Sequence, residues 1–223
     1  MQVGAGTARR RMVQVALLAG VLAGCSQASD GETRATSSAL GATSEASDTA
    51  SEASAGSGAV AERGGTIGAS GSACELPVTF DIAKGWKAEA VDAGAASDAL
   101  LRQGPVTAAC EVDAKPAGNI GFLRVWTGKP GDDDARTVLK AFVAAEDGAS
   151  HAEYREVKAG GLNGVEVSYE YTSELLEETK PERALAVTTA RGPVVVHLGG
   201  LDAEEHRAML PAFELAKRTL RTA

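Results

Sequence analysis

All nine aromatic residues of this 223-residue chain lie beyond position 73, beginning with Phe80. A folded unit needs large apolar side chains to offset the conformational entropy it loses, so the first third of the chain has no means of building its own core. Residues 26–72 hold 11 Ser, 11 Ala, 8 Gly and 5 Thr in 47 positions, with Leu40, Val60 and Ile67 isolated among them. This composition predicts a disordered linker over residues 25–72. As a Gly/Ser-like coil its ends would stand roughly 35–40 Å apart. Residues 73–223 have the length of a single domain.

Ahead of the linker, Arg9, Arg10 and Arg11 precede a mostly apolar run from Met12 to Gly24. A charged start, a short apolar stretch and small residues at its end are the layout of an export signal, placed here at residues 1–24. The run is shorter than the roughly 20 apolar residues a bilayer span requires. Its ending, Leu22-Ala23-Gly24-Cys25, resembles the lipobox of bacterial lipoproteins. That resemblance implies cleavage before Cys25 and diacylation of its sulfur. Two acyl chains anchor stably where one is marginal. The expected location is therefore the extracytoplasmic face of the cell membrane, held by lipid at Cys25. Arg9-Arg10 leaves general secretion and twin-arginine export both open.

With 22 Lys+Arg against 30 Asp+Glu the net charge is −8, and no basic cluster occurs beyond the first residues. Nucleic acid is excluded as an expected partner. Two cysteines remain in the domain, Cys74 and Cys110, and outside the cytoplasm an even count predicts a disulfide. Such a bridge closes a loop of about 37 residues, worth about 4 kcal/mol on chain-entropy grounds.

Periodicity predicts strands over 78–82, 86–91, 106–112 and 120–127, with a short helix around 98–103 capped by Ser97. A helix is predicted to open at Asp132, with Asp133 and Asp134 in its first turn and Gly148 at its end. Val165 to Tyr171 alternates strictly, one face buried and one wetted, and a polar connection follows from Ser173 to Arg183. Strands over 184–190 and 194–199 pair as a hairpin. A last helix starts at Asp202, capping-box-like with Glu205, and Pro211 interrupts it, so a kink or restart is expected near Leu210. Strands joined by short turns with intervening helices give an α+β domain, an antiparallel sheet covered by helices.

Leu76-Pro77-Val78-Thr79-Phe80 followed by Gly85-Trp86 resembles the opening of PsbP-like domains, and Leu210-Pro211-Ala212-Phe213 resembles their closing helix. With its lipobox and low-complexity linker, the chain is similar to the actinobacterial LpqN-like lipoproteins. The resemblance implies an α/β/α sandwich acting as a binding or accessory module, and it carries over no catalytic residue.

The residues themselves carry few chemical signatures. There is no G-x-S-x-G, P-loop, zincin or Rossmann pattern in residues 73–223. Ser150-His151 are neighbours only in sequence. Asp202 and His206 share a helix face but lack the third ligand a zinc site needs. No catalytic residue, metal or cofactor is expected. Phe122, Arg124 and Trp126 alternate onto one face, a candidate recognition patch of a guanidinium between aromatics, weighed against simple core packing. The leading expectation is a non-enzymatic binding or accessory module of the cell envelope, its protein or ligand partner unidentified. The alternatives are a small envelope hydrolase and a solute-capturing lipoprotein.

Overall fold

The structure is a computed structural model that describes residues 58–92 and 100–223. The signal at 1–24, Cys25, the linker as far as residue 57, and Ser97 with the start of its helix lie outside the described residues. Strands β1 (Arg63–Ile67), β2 (Val78–Ala83) and β11 (Arg221–Thr222) form a small sheet in the order β1-β2-β11. The large sheet runs β3-β5-β6-β10-β9-β8-β7. Its members are β3 (Lys87–Ala90), β5 (Val106–Asp113), β6 (Gly121–Thr127), β7 (Ala149–Ala159), β8 (Leu162–Ser173), β9 (Glu178–Thr189) and β10 (Gly192–Gly200). The short β4 (Arg102–Gln103) also pairs with β5. All these pairings are antiparallel.

Two helices cover the large sheet from opposite sides. α2 (Ala203–Thr219) and β2 bury Val78, Phe80, Leu123, Val125, Val196, Leu198 and Phe213 in one core. α1 (Ala135–Ala144) buries Val138, Leu139, Phe142 and Val143 against Val165, Val167, Ala186 and Val195 in the other. Strand alternation supplies both sets: in β10, Val194 and Val196 face α2 while Val195 faces α1.

Residues 63–67 correct the linker boundary. β1 pairs with β2 from Arg63–Ala83 to Ile67–Phe80, and Ile67 is buried. A single apolar residue is enough here because the strand joins a core built by others. Arg63 Nε reaches Asp81 Oδ2 at 2.8 Å, and Thr66 Oγ1 donates to Asp81 Oδ1 at 2.5 Å. Gly68 ends the strand at φ 104°, where a Cβ would lie 1.9 Å from the Val78 carbonyl oxygen. Only glycine fits that approach.

Cys74 and Cys110 are bridged, with Cα atoms 5.9 Å apart. β5 makes this geometry through a bulge. Strict alternation would place Val106, Ala108, Cys110 and Val112 on one face. The pairing with β6 slips between Ala108 and Cys110, so Val106 and Ala108 face α1 while Cys110 and Val112 face α2. The extra residue Ala109 turns the Cys110 thiol toward the β2 side.

Other expectations shift. The helix predicted around 98–103 is a hairpin in its described part, with Arg102 paired to Thr107 and Gln103 to Val106. α1 opens later than predicted: Asp134 is its cap, its side chain accepting from Thr137 N at 2.7 Å, and the helix ends at Ala144. β7 was hidden because it is an edge strand whose side chains mostly meet water, so it shows no apolar alternation. α2 runs through Pro211 without a restart, its apolar stripe from Met209 to Phe213 buried on both sides of the proline. Asp202 caps it as predicted, but the Glu205 carboxylate accepts from Asn119 Nδ2 at 3.1 Å instead of completing a capping box.

Candidate functional site

α1 has 10 residues and β8 and β9 have 12 each. At about 1.5 Å per helical residue and about 3.3 Å per strand residue, the helix is less than half as long as the strands. It cannot cover the whole of its sheet face. Beyond its C-terminus the face holds a cavity of about 430 Å³, walled by the ends of β6, β8, β9 and β10. Gly199 helps to make the space. A Cβ there would meet the Phe122 ring at 3.4 Å and nothing closer, so a side chain would stand in the cavity without striking backbone.

The mouth is apolar. Ile120, Leu176 and Leu201 line it and are 55, 59 and 52% exposed. Large apolar side chains clustered in water are the informative exception on a soluble surface.

The floor is charged and buried. Glu182, 3% exposed, lies on β9 beside Tyr169 of β8. Its Oε1 is 2.9 Å from Lys180 Nζ and its Oε2 is 3.0 Å from His197 Nε2. That ring nitrogen is also 3.1 Å from Tyr169 Oη, and no donor is aligned on Glu182 Oε2. Tyr169 donates its hydroxyl proton to Glu146 Oε2 at 2.6 Å. Burial pushes the Glu182 carboxyl up, but His197 and Lys180 beside it outweigh this and hold it below the ordinary carboxylate range. Burial first, then the Glu146 and Glu182 charges, push the Tyr169 phenol far above its ordinary value. The floor is thus an ionised carboxylate beside a phenol that keeps its proton.

The predicted patch divides. Phe122 and Arg124 line the cavity; Trp126 does not, being buried in the α1 core with its ring 5.4 Å from Phe142. The Arg124 guanidinium lies 4.4 Å from the Phe122 centroid, and its Nε and Nη2 both donate to Glu111 Oε2, at 3.1 and 2.6 Å. It is therefore already paired. His151 is exposed, with Nδ1 3.0 Å from Glu170 Oε2. Asp202 is spent as a cap, and His206 is buried on α2 with Nδ1 unpartnered. Among the described residues no group of three or more His, Cys, Asp or Glu is arranged to hold a metal ion.

Sequence reasoning missed Glu182, Lys180 and Glu146. A signal existed for two floor residues: His197 interrupts an apolar strand, and Tyr169 sits on the buried side of the alternating run. Glu182 and Lys180 had none, because the ends of β8 and β9 read as a polar connection.

Residues 43–220 match the family described as uncharacterised lipoprotein. The chain belongs to that lipoprotein family. The matched segment contains the whole cavity and the Cys74–Cys110 bridge. No curated protein matches this lipoprotein. Among solved structures, cyanobacterial PsbP (CyanoP) from Synechocystis sp. PCC 6803, a solution structure, is similar at 12% identity and a TM-score of 0.47, covering 71% of this chain and 98% of that one. So slight a likeness assigns no function, and the fold rests on the strand pairings themselves. No helix among the described residues is long and apolar enough to cross a membrane.

Proposed function

We propose that this lipoprotein is a binding module of the cell envelope, anchored by acyl chains on Cys25 at the extracytoplasmic face of the membrane and without catalysis of its own. This is the role that its likeness to LpqN-like lipoproteins implies. The observation that carries it is the cavity on the α1 face: about 430 Å³, within the range of small-molecule sites, apolar at the mouth with a few converging polar groups below. The histidine at its floor is engaged by a phenol and a carboxylate, a set that fixes the ring instead of activating an attacking hydroxyl.

The test uses N-phenylnaphthylamine, an uncharged probe that fluoresces in apolar sites. The wild-type chain should bind it, and Gly199→Leu, which places a side chain in the cavity, should remove most of that binding while circular dichroism stays unchanged. Absence of binding by wild type, or equal binding by Gly199→Leu, overturns the reading.

A further inference from the structure

We infer that the cavity takes an amphiphile with an apolar body and a primary ammonium head, the head lodging among Glu182, Glu146 and Glu178. This rests on the cavity being the binding site, as proposed above. The apolar mouth at Ile120, Leu176 and Leu201 suits a hydrocarbon body. Charge decides the head.

Both cations of the wall are already engaged. Arg124 gives two hydrogen bonds to Glu111, and Lys180 contacts Glu182 and donates to the Gly200 carbonyl oxygen. The carboxylates are in excess. Among the described residues no ion pair holds Glu146 or Glu178, both in the wall, and Glu182 Oε2, almost wholly buried, has beside it only His197 Nε2, 3.0 Å away and not aligned as a donor. A buried acceptor left open costs free energy that an incoming donor recovers. An ammonium supplies both the proton and the charge, a hydroxyl only the proton, and an anionic head neither. An anion would also have to draw Arg124 or Lys180 away from its partner.

Three probes with one body and different heads test this: n-decylamine, protonated at neutral pH, n-decanol and n-decanoate. Each is titrated calorimetrically into the full chain carrying Cys25→Ser, so that no acyl chain of the protein competes. Decylammonium should bind at least about tenfold tighter than decanol, as a hydrogen bond to a charged group allows, with decanoate weakest. Glu182→Gln should bring decylammonium to within about threefold of decanol. Glu146→Gln is the second variant, expected to narrow the same gap should Glu182→Gln fail to fold. Equal binding of the three heads, or preference for decanoate, overturns the ammonium assignment while the cavity reading stands. No binding of any probe overturns both.

Discussion

Glu166 is fully buried on β8, on the face that alternation would have left in water. α2 lies over that face and brings Lys217 Nζ to 2.8 Å from Glu166 Oε2. Arg155, its partner in register on β7, donates to Oε1, and Lys217 also reaches Glu214. Burial pushes the Glu166 carboxyl up, but Lys217 and Arg155 outweigh it and hold it below the ordinary range. A buried pair contributes little net stability while intact, yet removing one member strands the other. Glu166→Gln should therefore destabilise the domain by about 3 kcal/mol, measured by urea titration. His206 gives a second prediction at this scale. Burial lowers its pKa to about 4, Glu182 opposing this and Arg183, His197 and Lys180 adding to it. Unfolded, the ring returns to about 6.5. Between these values the unfolded chain binds the extra proton, so stability falls as pH drops from about 6.5 to about 4. The full shift is worth roughly 3 kcal/mol at most. Melting temperatures at pH 7 and pH 5 should differ in wild type, and His206→Leu should flatten that slope. Glu166 and Glu182 lose their contribution lower, as pH falls through their depressed values, so the two windows separate.

At the scale of elements, β1 changes where the folded body begins. Ile67 is buried, Arg63 and Thr66 hold the Asp81 carboxylate, and Asp81 N donates to Thr219 Oγ1 at 2.8 Å, tying the small sheet to α2. A chain beginning at residue 73 strips the pairing from one edge of β2. It should melt several degrees below a chain beginning at residue 58, as the loss of about 1 kcal/mol already shifts a domain of this size by roughly 2–4 °C. Equal melting temperatures would return residues 58–72 to the linker. The bridge belongs to the same region. Reducing Cys74–Cys110 should cost about 2–5 kcal/mol, with the region around β2 and β5 losing hydrogen-exchange protection first. These features explain what was legible. Strands with apolar alternation, such as β8 and β10, and helices with a capping aspartate, such as α2, announce themselves through local chemistry. β1 and β7 do not, because each is an edge strand paired on one side only, with few of its side chains buried. The cavity escaped for another reason: it is the gap between a short helix and longer strands, a relation between elements that no single segment carries. Strand parity places Phe122, Arg124 and Trp126 on one face, and the Arg124 guanidinium does lie 4.4 and 5.8 Å from the two ring centroids, but parity does not say that α1 covers Trp126 and leaves Phe122 at the cavity.

At the scale of the whole molecule, the proposed anchor and the net charge act against each other. The chain carries −8, and anionic lipid headgroups attract basic segments and repel acidic ones. The net charge opposes adsorption to an anionic membrane, and no helix among the described residues is long and apolar enough to cross one. On the proposed reading attachment rests on the acyl chains of Cys25, and burial at about 0.8 kcal/mol per CH₂ makes two of them sufficient. This separates the two modes of attachment by experiment. Wild type should stay with the membrane through a high-salt wash, since screening weakens only electrostatic contacts, and should enter the detergent phase on phase partitioning. Cys25→Ala should leave the membrane fraction and move to the aqueous phase even at low salt, with its fold and its Cys74–Cys110 bridge intact. A variant that still partitions into detergent would show that something other than Cys25 holds the chain. The exposed Ile120, Leu176 and Leu201 are then the surface to examine, and replacing all three with serine would decide whether the mouth of the cavity touches lipid directly.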